Sequence, residues 1–194
     1  MQKLDAKQLM SLEQYARERP ALRAGMIEHR RVRQLPIGEH CTWSFEDRRT
    51  VHYQVQEMLR SERIFEPEAI AEELDTYNPL IPDGNNLKAT LMIEYADPVE
   101  RARRLGELRG LERHCWMRVA GFEPVYAIAD EDLVRENDTK TSAVHFLRFD
   151  FPAAMIAAAR AGAALAAGVD HPTYRHSVDP LPEGLRQALL ADFA

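Results

Sequence analysis

The second half of the chain contains a series of short strand-like segments, and this series limits the folds that the sequence can adopt. The segments LKATLMIEY, HCWMRVAG, VYAIAD, AVHFLRFDF and AALAAGVDHPTY are typical of strands. Between and after them, DPVERARRLGELRGL, PAAMIAAARAG and PEGLRQALLADF are typical of helices. Because both short turns and helices separate the strands, the sequence predicts an α+β fold, with an antiparallel or mixed sheet packed by helices.

The N-terminal third is predicted to be mainly helical. Ser11 is a suitable N-cap for a first helix, which Pro20 would kink or break. HCTWSFED then predicts a short strand, and a second helix follows Asp47 and extends to about Arg63. Glu66 and the proline after it restart the helical pattern. We expect a single domain of 194 residues that is helical over residues 1–80 and contains its sheet over residues 87–194.

Charge and hydropathy exclude some classes of protein. The formal net charge of −6 argues against a general nucleic-acid binder, because such proteins need a basic surface to displace counterions from phosphates. The most apolar stretch, residues 151–169, is rich in alanine and carries Arg160 in its middle, so it predicts no membrane span. Cys41 and Cys115 belong to no CxxC pair, and the sequence begins with no apolar signal region. We therefore expect free, buried thiols and a cytoplasmic location.

The common catalytic and nucleotide-binding signatures are absent. The sequence has no GxGxxG, GxxxxGK, HExxH or GxSxG motif. The basic runs HRRVR and RARR are flanked by acidic residues, which favours a solvated helix surface over an anion site. Histidine placement is therefore the main remaining signal.

His145 lies in the strand AVHFLRFDF, where the two-residue period places it on one face with Leu147, Phe149 and Phe151. This pattern predicts a buried imidazole, which must find a hydrogen-bond partner. A structural histidine and a metal ligand or acid–base group are both compatible with it.

His52 lies on the second predicted helix, where Gln56 and Arg60 continue a polar stripe at intervals of four residues. Glu57 lies near this stripe, but His52 and Glu57 are poorly spaced to share one metal. A solvated helix face and a contribution to a site formed with other elements both remain open.

The segment GVDHPTYRH, which begins at Gly168, combines histidines, a carboxylate and a tyrosine around a proline. Pro172 restricts His171 to an extended conformation, and Asp170 can set the tautomer of a nearby imidazole. The segment is either a polar turn or one wall of a pocket. For the pocket, we predict that His145 and His171 lie on one sheet and that the second helix brings His52 or Glu57 near.

Five strings, VHYQVQEMLRSERI, ELDTYNPLIP, KATLMIEY, TKTSAVHFLRF and GVDHPTY, together resemble an uncharacterised bacterial family, one of the domains of unknown function. The resemblance covers nearly the whole chain and brings no established activity. The family's genes are often found beside those of rubrerythrin-like di-iron proteins and iron–sulfur oxidoreductases of the heterodisulfide-reductase type. The resemblance therefore implies an accessory role in redox or peroxide metabolism.

Three hypotheses follow from the sequence. The first is a cytoplasmic accessory protein of a redox or peroxide-related pathway that binds a metal ion, with iron or zinc suitable, or a small ligand. The second is a docking module for a rubrerythrin-like or iron–sulfur partner, with no site of its own, and the third is an undescribed enzyme with a histidine acid–base group. The candidate ligand- or metal-binding residues are His52, Glu57, His145, Asp170, His171 and Tyr174, with Gln56, Arg60 and Arg148 as secondary candidates.

Overall fold

The computed structural model describes residues 2–131, 135 and 139–193. The described α-helices are α1 (Leu12–Arg31), α2 (Arg48–Glu62), α3 (Pro67–Tyr77), α4 (Pro98–Glu107), α5 (Ala153–Arg160) and α6 (Glu183–Leu190). The described strands are β1 (Gln34–Ile37), β2 (Cys41–Phe45), β3 (Asn86–Ile93), β4 (Cys115–Val119), β5 (Val125–Tyr126), β6 (Ile128–Ala129), β7 (Val144–Asp150), β8 (Leu165–His171) and β9 (Tyr174–Val178).

The described strands form two antiparallel sheets, which confirms the predicted α+β class. The five-stranded sheet has the order β1-β2-β3-β7-β6, and the four-stranded sheet has the order β5-β4-β8-β9. Although residues 1–80 are largely helical, they supply β1 and β2 to the five-stranded sheet. The N-terminal and C-terminal parts of the chain therefore share one sheet.

The larger hydrophobic core contains the inward-facing residues of both sheets. Trp43 and Leu91 of the five-stranded sheet belong to it together with Met117 and Ala167 of the four-stranded sheet. A second, smaller core joins α2 and α3 to the N-terminal segment through Val51, Val55, Leu74 and other apolar residues. Alternating burial along β2 and β7 leaves the outer face of the five-stranded sheet free to line a cleft beside α1 and α2.

Local signals explain where the first two long helices begin. The Ser11 hydroxyl accepts a hydrogen bond from the backbone N–H of Gln14, as the sequence predicts, and Asp47 caps α2 through the N–H of Thr50. Pro20 neither ends nor divides α1, which runs on to Arg31. None of the described helices is long and apolar enough to cross a bilayer.

Candidate functional site

His145 is fully buried, which confirms the prediction from its strand face. Its Nδ1 lies 2.5 Å from Oδ2 of Asp130, and its Nε2 lies 2.9 Å from Oγ1 of Thr141 and 3.1 Å from the carbonyl oxygen of Ser142. Nε2 can donate to the Ser142 carbonyl oxygen, which only accepts, or accept from the Thr141 hydroxyl, depending on the tautomer. The imidazole is thus fixed from both sides.

Asp130 is held in place as firmly as the histidine. Its φ of 52° is in the left-handed region, which aspartate tolerates better than most residues. Its Oδ1 accepts a hydrogen bond from the backbone N–H of Phe146 at 3.0 Å, while its own N–H donates to the Phe146 carbonyl oxygen at 2.9 Å. Asp130 therefore joins β6 to β7 and orients the ring of His145.

Thr141, His145 and Asp130 form a hydroxyl–imidazole–carboxylate series of the kind used in nucleophilic catalysis. Thr141 is 1% exposed and His145 is 0% exposed, so no substrate can reach either side chain in this conformation. Glu112 is buried as well, with Oε2 at 4.0 Å from the Nε2 of His145. The cluster therefore has the character of a buried structural network.

The segment GVDHPTYRH forms a β-hairpin, with Pro172 and Thr173 between β8 and β9. The Nε2 of His171 lies 3.1 Å from the carbonyl oxygen of Arg109, and its Nδ1 lies 3.0 Å from the Thr173 hydroxyl. Burial lowers the pKa of the His171 imidazole below its usual value. Both ring nitrogens have partners, so His171 stabilises the hairpin turn.

Tyr174 connects the hairpin to the other sheet. Its hydroxyl donates to the carbonyl oxygen of Ile37 at 2.7 Å and accepts from the N–H of His40 at 3.1 Å. Gly38, with φ of 69°, makes room for this contact, because a Cβ there would lie 2.5 Å from the Tyr174 hydroxyl oxygen. Tyr174 therefore links the β8–β9 hairpin of the four-stranded sheet to the β1–β2 hairpin of the five-stranded sheet.

Asp170 lies on the solvent side of the same hairpin. Its two oxygens contact Nδ1 of His114 at 3.1 Å and the hydroxyl of Tyr126 at 2.7 Å. The rings of His114 and His171 meet edge to face, with 5.2 Å between their centroids. These contacts join β5 and β8 to His114, the residue directly before β4, at one end of the four-stranded sheet.

The prediction that His145 and His171 lie on one sheet and line a shared pocket is wrong, because the two residues belong to different sheets. His145 lies on β7 in the five-stranded sheet, whereas His171 ends β8 in the four-stranded sheet. The helix α5 connects these strands as expected, but it carries the chain from one sheet to the other. Sequence adjacency of two strands does not specify which sheet the second one joins.

The second helix does not bring His52 or Glu57 to His145. The Nε2 of His52 lies 3.1 Å from the carbonyl oxygen of Gln8, and burial lowers the pKa of this imidazole. Glu57 lines a cleft with Phe146, which faces the opposite side of β7 from His145.

The secondary candidates make local structural contacts. Gln56 is buried and bonds both backbone polar groups of Met10 through its side-chain amide. Arg148 forms ion pairs with Glu131 and Asp150 on the outer face of β7, while Arg60 is exposed on α2. Across residues 2–131, 135 and 139–193, no group of three or more His, Cys, Asp or Glu side chains is arranged to hold a metal ion.

Cys41 and Cys115 are both buried and free, in agreement with the expectation of unpaired thiols. Burial raises the pKa of the Cys41 thiol to about 12 and that of Cys115 well above its usual value. Neither thiol has the lowered pKa of a reactive cysteine.

A cleft of about 610 Å³ that is lined by several charged side chains lies between α1, α2 and the outer face of the five-stranded sheet. We call it the arginine cleft, since its lining includes Arg19, Arg23, Arg30 and Arg33. The charged groups opposing them in the lining are Glu46 and Glu57. A volume of a few hundred Å³ is typical of small-molecule sites in proteins.

Two of the four arginines have internal partners. Arg19 makes a bidentate ion pair with Glu57, at 2.7 and 2.8 Å, and Tyr15 donates its hydroxyl to the same carboxylate at 2.6 Å. Arg33 is buried against Asp192 and donates to the backbone carbonyl oxygens of Phe45 and Glu46. The hydrogen bonds from Arg19 hold the pKa of Glu57 at about 2, so this carboxylate is ionised at neutral pH.

The other two arginines make no side-chain hydrogen bond or ion pair within the described part of the chain. Arg23 is exposed, and Arg30 is half-buried with its guanidinium 5.7 Å from the centre of the Tyr53 ring. The two oxygens of Glu46 accept from the hydroxyls of Thr50 and Thr90, at 2.5 and 2.7 Å. The cleft therefore has two guanidinium groups that no described carboxylate neutralises.

Sequence reasoning identified Glu57 but not the cleft. Arg19, Arg23 and Arg30 lie at intervals of four and seven residues, which places them on one side of α1. The run HRRVR, interpreted as solvated surface, contributes Arg30 and Arg33. The sequence signal that could have revealed the cleft was the helical spacing of Arg19 and Arg23 with Arg30 of the basic run.

Comparison with known families gives a match over nearly the whole chain. The model of DUF3501, described as a protein of unknown function, matches residues 3–193. The chain belongs to the DUF3501 family. This DUF3501 chain is also similar to a solved structure, described as a crystal structure of a novel protein of unknown function from Burkholderia pseudomallei K96243. The two are 45% identical, with a TM-score of 0.95 and complete coverage of both chains. No curated protein matches the chain.

Proposed function

We propose that this DUF3501 protein binds a small organic or inorganic anion in the arginine cleft. The observation that carries the proposal is the pair Arg23 and Arg30, whose guanidinium groups line one cleft without a described carboxylate partner. Guanidinium groups bind carboxylates and phosphates through paired hydrogen bonds. The protein as a whole has a net charge of −6, so a local excess of arginine is a specific feature of this surface.

The proposal retains the small-ligand part of the first sequence hypothesis. Its metal-binding part has less support, since the described donors do not converge and His145 and His171 already have partners on both ring nitrogens. An accessory role beside a rubrerythrin-like or iron–sulfur oxidoreductase protein, in the cytoplasm, stays a prediction that the family resemblance implies. Binding of an anion from such a pathway is compatible with that role.

The test is calorimetric titration of the purified protein with inorganic phosphate and with citrate. We expect binding, and we expect Arg23→Gln and Arg30→Gln each to weaken it about ten- to hundredfold, because a hydrogen bond to a charged group contributes roughly 1.5–3 kcal/mol. Arg17→Gln is the matched control, as Arg17 is an exposed arginine of α1 that does not line the cleft. Equal binding by all three variants would place the anion elsewhere and contradict the proposal.

A further inference from the structure

We infer that the ligand of the arginine cleft is amphipathic, with an anionic group at one end and an apolar body. This inference rests on the proposed function and specifies the chemistry of the ligand. It follows from the distribution of residues across the sheet that forms the floor of the cleft. The anionic group would contact Arg23 and Arg30, and the apolar body would lie on β3 and β7.

The strand register defines the floor. Gln34, Ser44, Thr90 and Phe146 are consecutive Cα partners across β1, β2, β3 and β7, so they form one row on the outer face. Met92 and Val144 are partners in the neighbouring row, and both also line the cleft. The floor is therefore polar on β1 and β2, mixed on β3, which supplies Thr90 and Met92, and apolar on β7.

The apolar part is accessible to a ligand. Val144, the first residue of β7, is an aliphatic side chain that is 39% exposed. Met92 is half-buried and lies beside Val144 on the same face, whereas the ring of Phe146 carries the guanidinium of Arg135 at 4.6 Å from its centre. Met92 and Val144 are therefore the apolar side chains that a hydrocarbon group could cover, which would remove apolar surface from water.

The polar part of the floor favours one orientation of the ligand. The carboxylate of Glu46 is occupied by two threonine hydroxyls, and Glu57 is occupied by Arg19 and Tyr15. Only Glu57 is paired with a cation, Arg19, and the two unpaired guanidinium groups of α1 outnumber the carboxylate of Glu46 in the lining. An organic anion with a hydrocarbon body can bind the guanidinium groups and also cover the apolar residues of the floor, whereas inorganic phosphate can bind only the guanidinium groups.

The experiment is a titration series with butyrate, hexanoate and octanoate, with inorganic phosphate as the comparison. We expect the affinity to rise about two- to fourfold for each added methylene, the range for partial to full burial of that group. Val144→Gln should flatten the dependence on chain length, and Arg23→Gln should weaken every alkanoate by a similar factor. Ile128→Gln is the matched control, because Ile128 is an exposed apolar strand residue that does not line the cleft.

The possible failures can be distinguished. An affinity that is independent of chain length, with phosphate bound at least as tightly as octanoate through Arg23 and Arg30, would overturn the amphipathic ligand and leave the anion-binding function intact. Chain-length dependence that Val144→Gln does not change would place the hydrocarbon outside the cleft and also overturn the inference. No binding of any of these anions would overturn both proposals.

Discussion

Asp130 lies 2.5 Å from the Nδ1 of His145 and also bonds the backbone of Phe146, so one carboxylate fixes both a buried imidazole and the pairing of β6 with β7. The left-handed φ of Asp130 makes this double contact possible. Because His145 is completely enclosed, loss of this partner would leave a buried polar ring with one unsatisfied side.

We expect Asp130→Asn to lower the free energy of unfolding by about 1–3 kcal/mol, since it disturbs a hydrogen bond to a completely buried imidazole. Asparagine retains the shape and the tolerance of positive φ, so the change tests the carboxylate itself. Urea denaturation followed by circular dichroism gives the measurement.

Asp150→Asn is the control for this substitution. Asp150 is 43% exposed in its pair with Arg148, and surface pairs contribute at most about 1 kcal/mol. Equal losses for the two variants would show that the burial of the Asp130–His145 pair has no special role.

Gly38→Ala should destabilise the protein by about 2–4 kcal/mol. A Cβ at this position would lie 2.5 Å from the Tyr174 hydroxyl oxygen and 2.7 Å from the ring of His176, so the tyrosine would lose its buried hydrogen bonds in addition to the cost of positive φ. Thermal and urea unfolding measure the loss.

Gly110→Ala separates the two contributions. Gly110 has φ of 78°, but a Cβ there would meet no atom within 4 Å. Only the backbone cost of about 1–2 kcal/mol is expected at this position. If alanine costs as much at residue 110 as at residue 38, the contact with Tyr174 contributes nothing.

Acidification should destabilise the fold as pH falls below about 6.5, the ordinary pKa of histidine. Burial lowers the pKa values of His52 and His171 in the folded state, so the unfolded state binds more protons in this range. The stabilising effect of the neutral rings is therefore fully present above the unfolded pKa and is lost as pH falls through the folded values.

The measurement is the urea midpoint between pH 7.5 and 5. A variant carrying both His52→Gln and His171→Gln should be less stable at pH 7.5, with a shallower loss of stability on acidification. If that variant loses stability as steeply as the parent protein, other groups determine the acid sensitivity.

Glu57→Gln should strengthen anion binding in the arginine cleft about three- to tenfold. The substitution removes a negative charge from the lining and releases the guanidinium of Arg19 from its ion pair, and one unit charge at a partly exposed site is worth about 1 kcal/mol at several ångströms. Titration with octanoate and phosphate at low salt gives the affinities.

The same variant has a second consequence, at acid pH. The pKa of Glu57 is held at about 2, so the stability that it contributes is present above its ordinary value of 4.5 and is lost as pH falls towards 2. The Glu57→Gln variant should therefore lose less stability than the parent protein when the pH falls from about 4.5 towards 2. Glu62→Gln is the control on the same helix, since Glu62 is exposed and does not line the cleft.

Local pattern was sufficient to predict much of the fold. The two-residue period of β7 identified the inward face of His145, and the capping residues Ser11 and Asp47 marked the starts of two helices. β1 was missed, because QLPI is short and directly follows the basic end of α1. Of the two effects predicted for Pro20, a kink or a break, the break is wrong, since α1 continues through this residue.

The candidate site was harder to predict, because it depends on long-range arrangement. His145 and His171 were expected to converge, but strand period gives the face of a residue and not the sheet to which its strand belongs. The cleft is formed by residues of α1, α2 and four strands, and no local sequence motif predicts that these elements pack together. The arginines of the cleft can be read from the sequence. Only the structure shows that Arg23 and Arg30 have no carboxylate partner among the described residues.

The bond from Tyr174 to Ile37 spans 137 residues, and the contact from Arg33 to Asp192 spans 159 residues. Contacts between such distant segments require the closure of very long loops before they contribute any stability, which slows folding. On the ribosome, the β1–β2 hairpin must wait for β9 and the C-terminal residues to be synthesised before it acquires these partners. The N-terminal part of the nascent chain therefore exposes an incomplete sheet throughout most of its synthesis, a period in which chaperones have the opportunity to bind it.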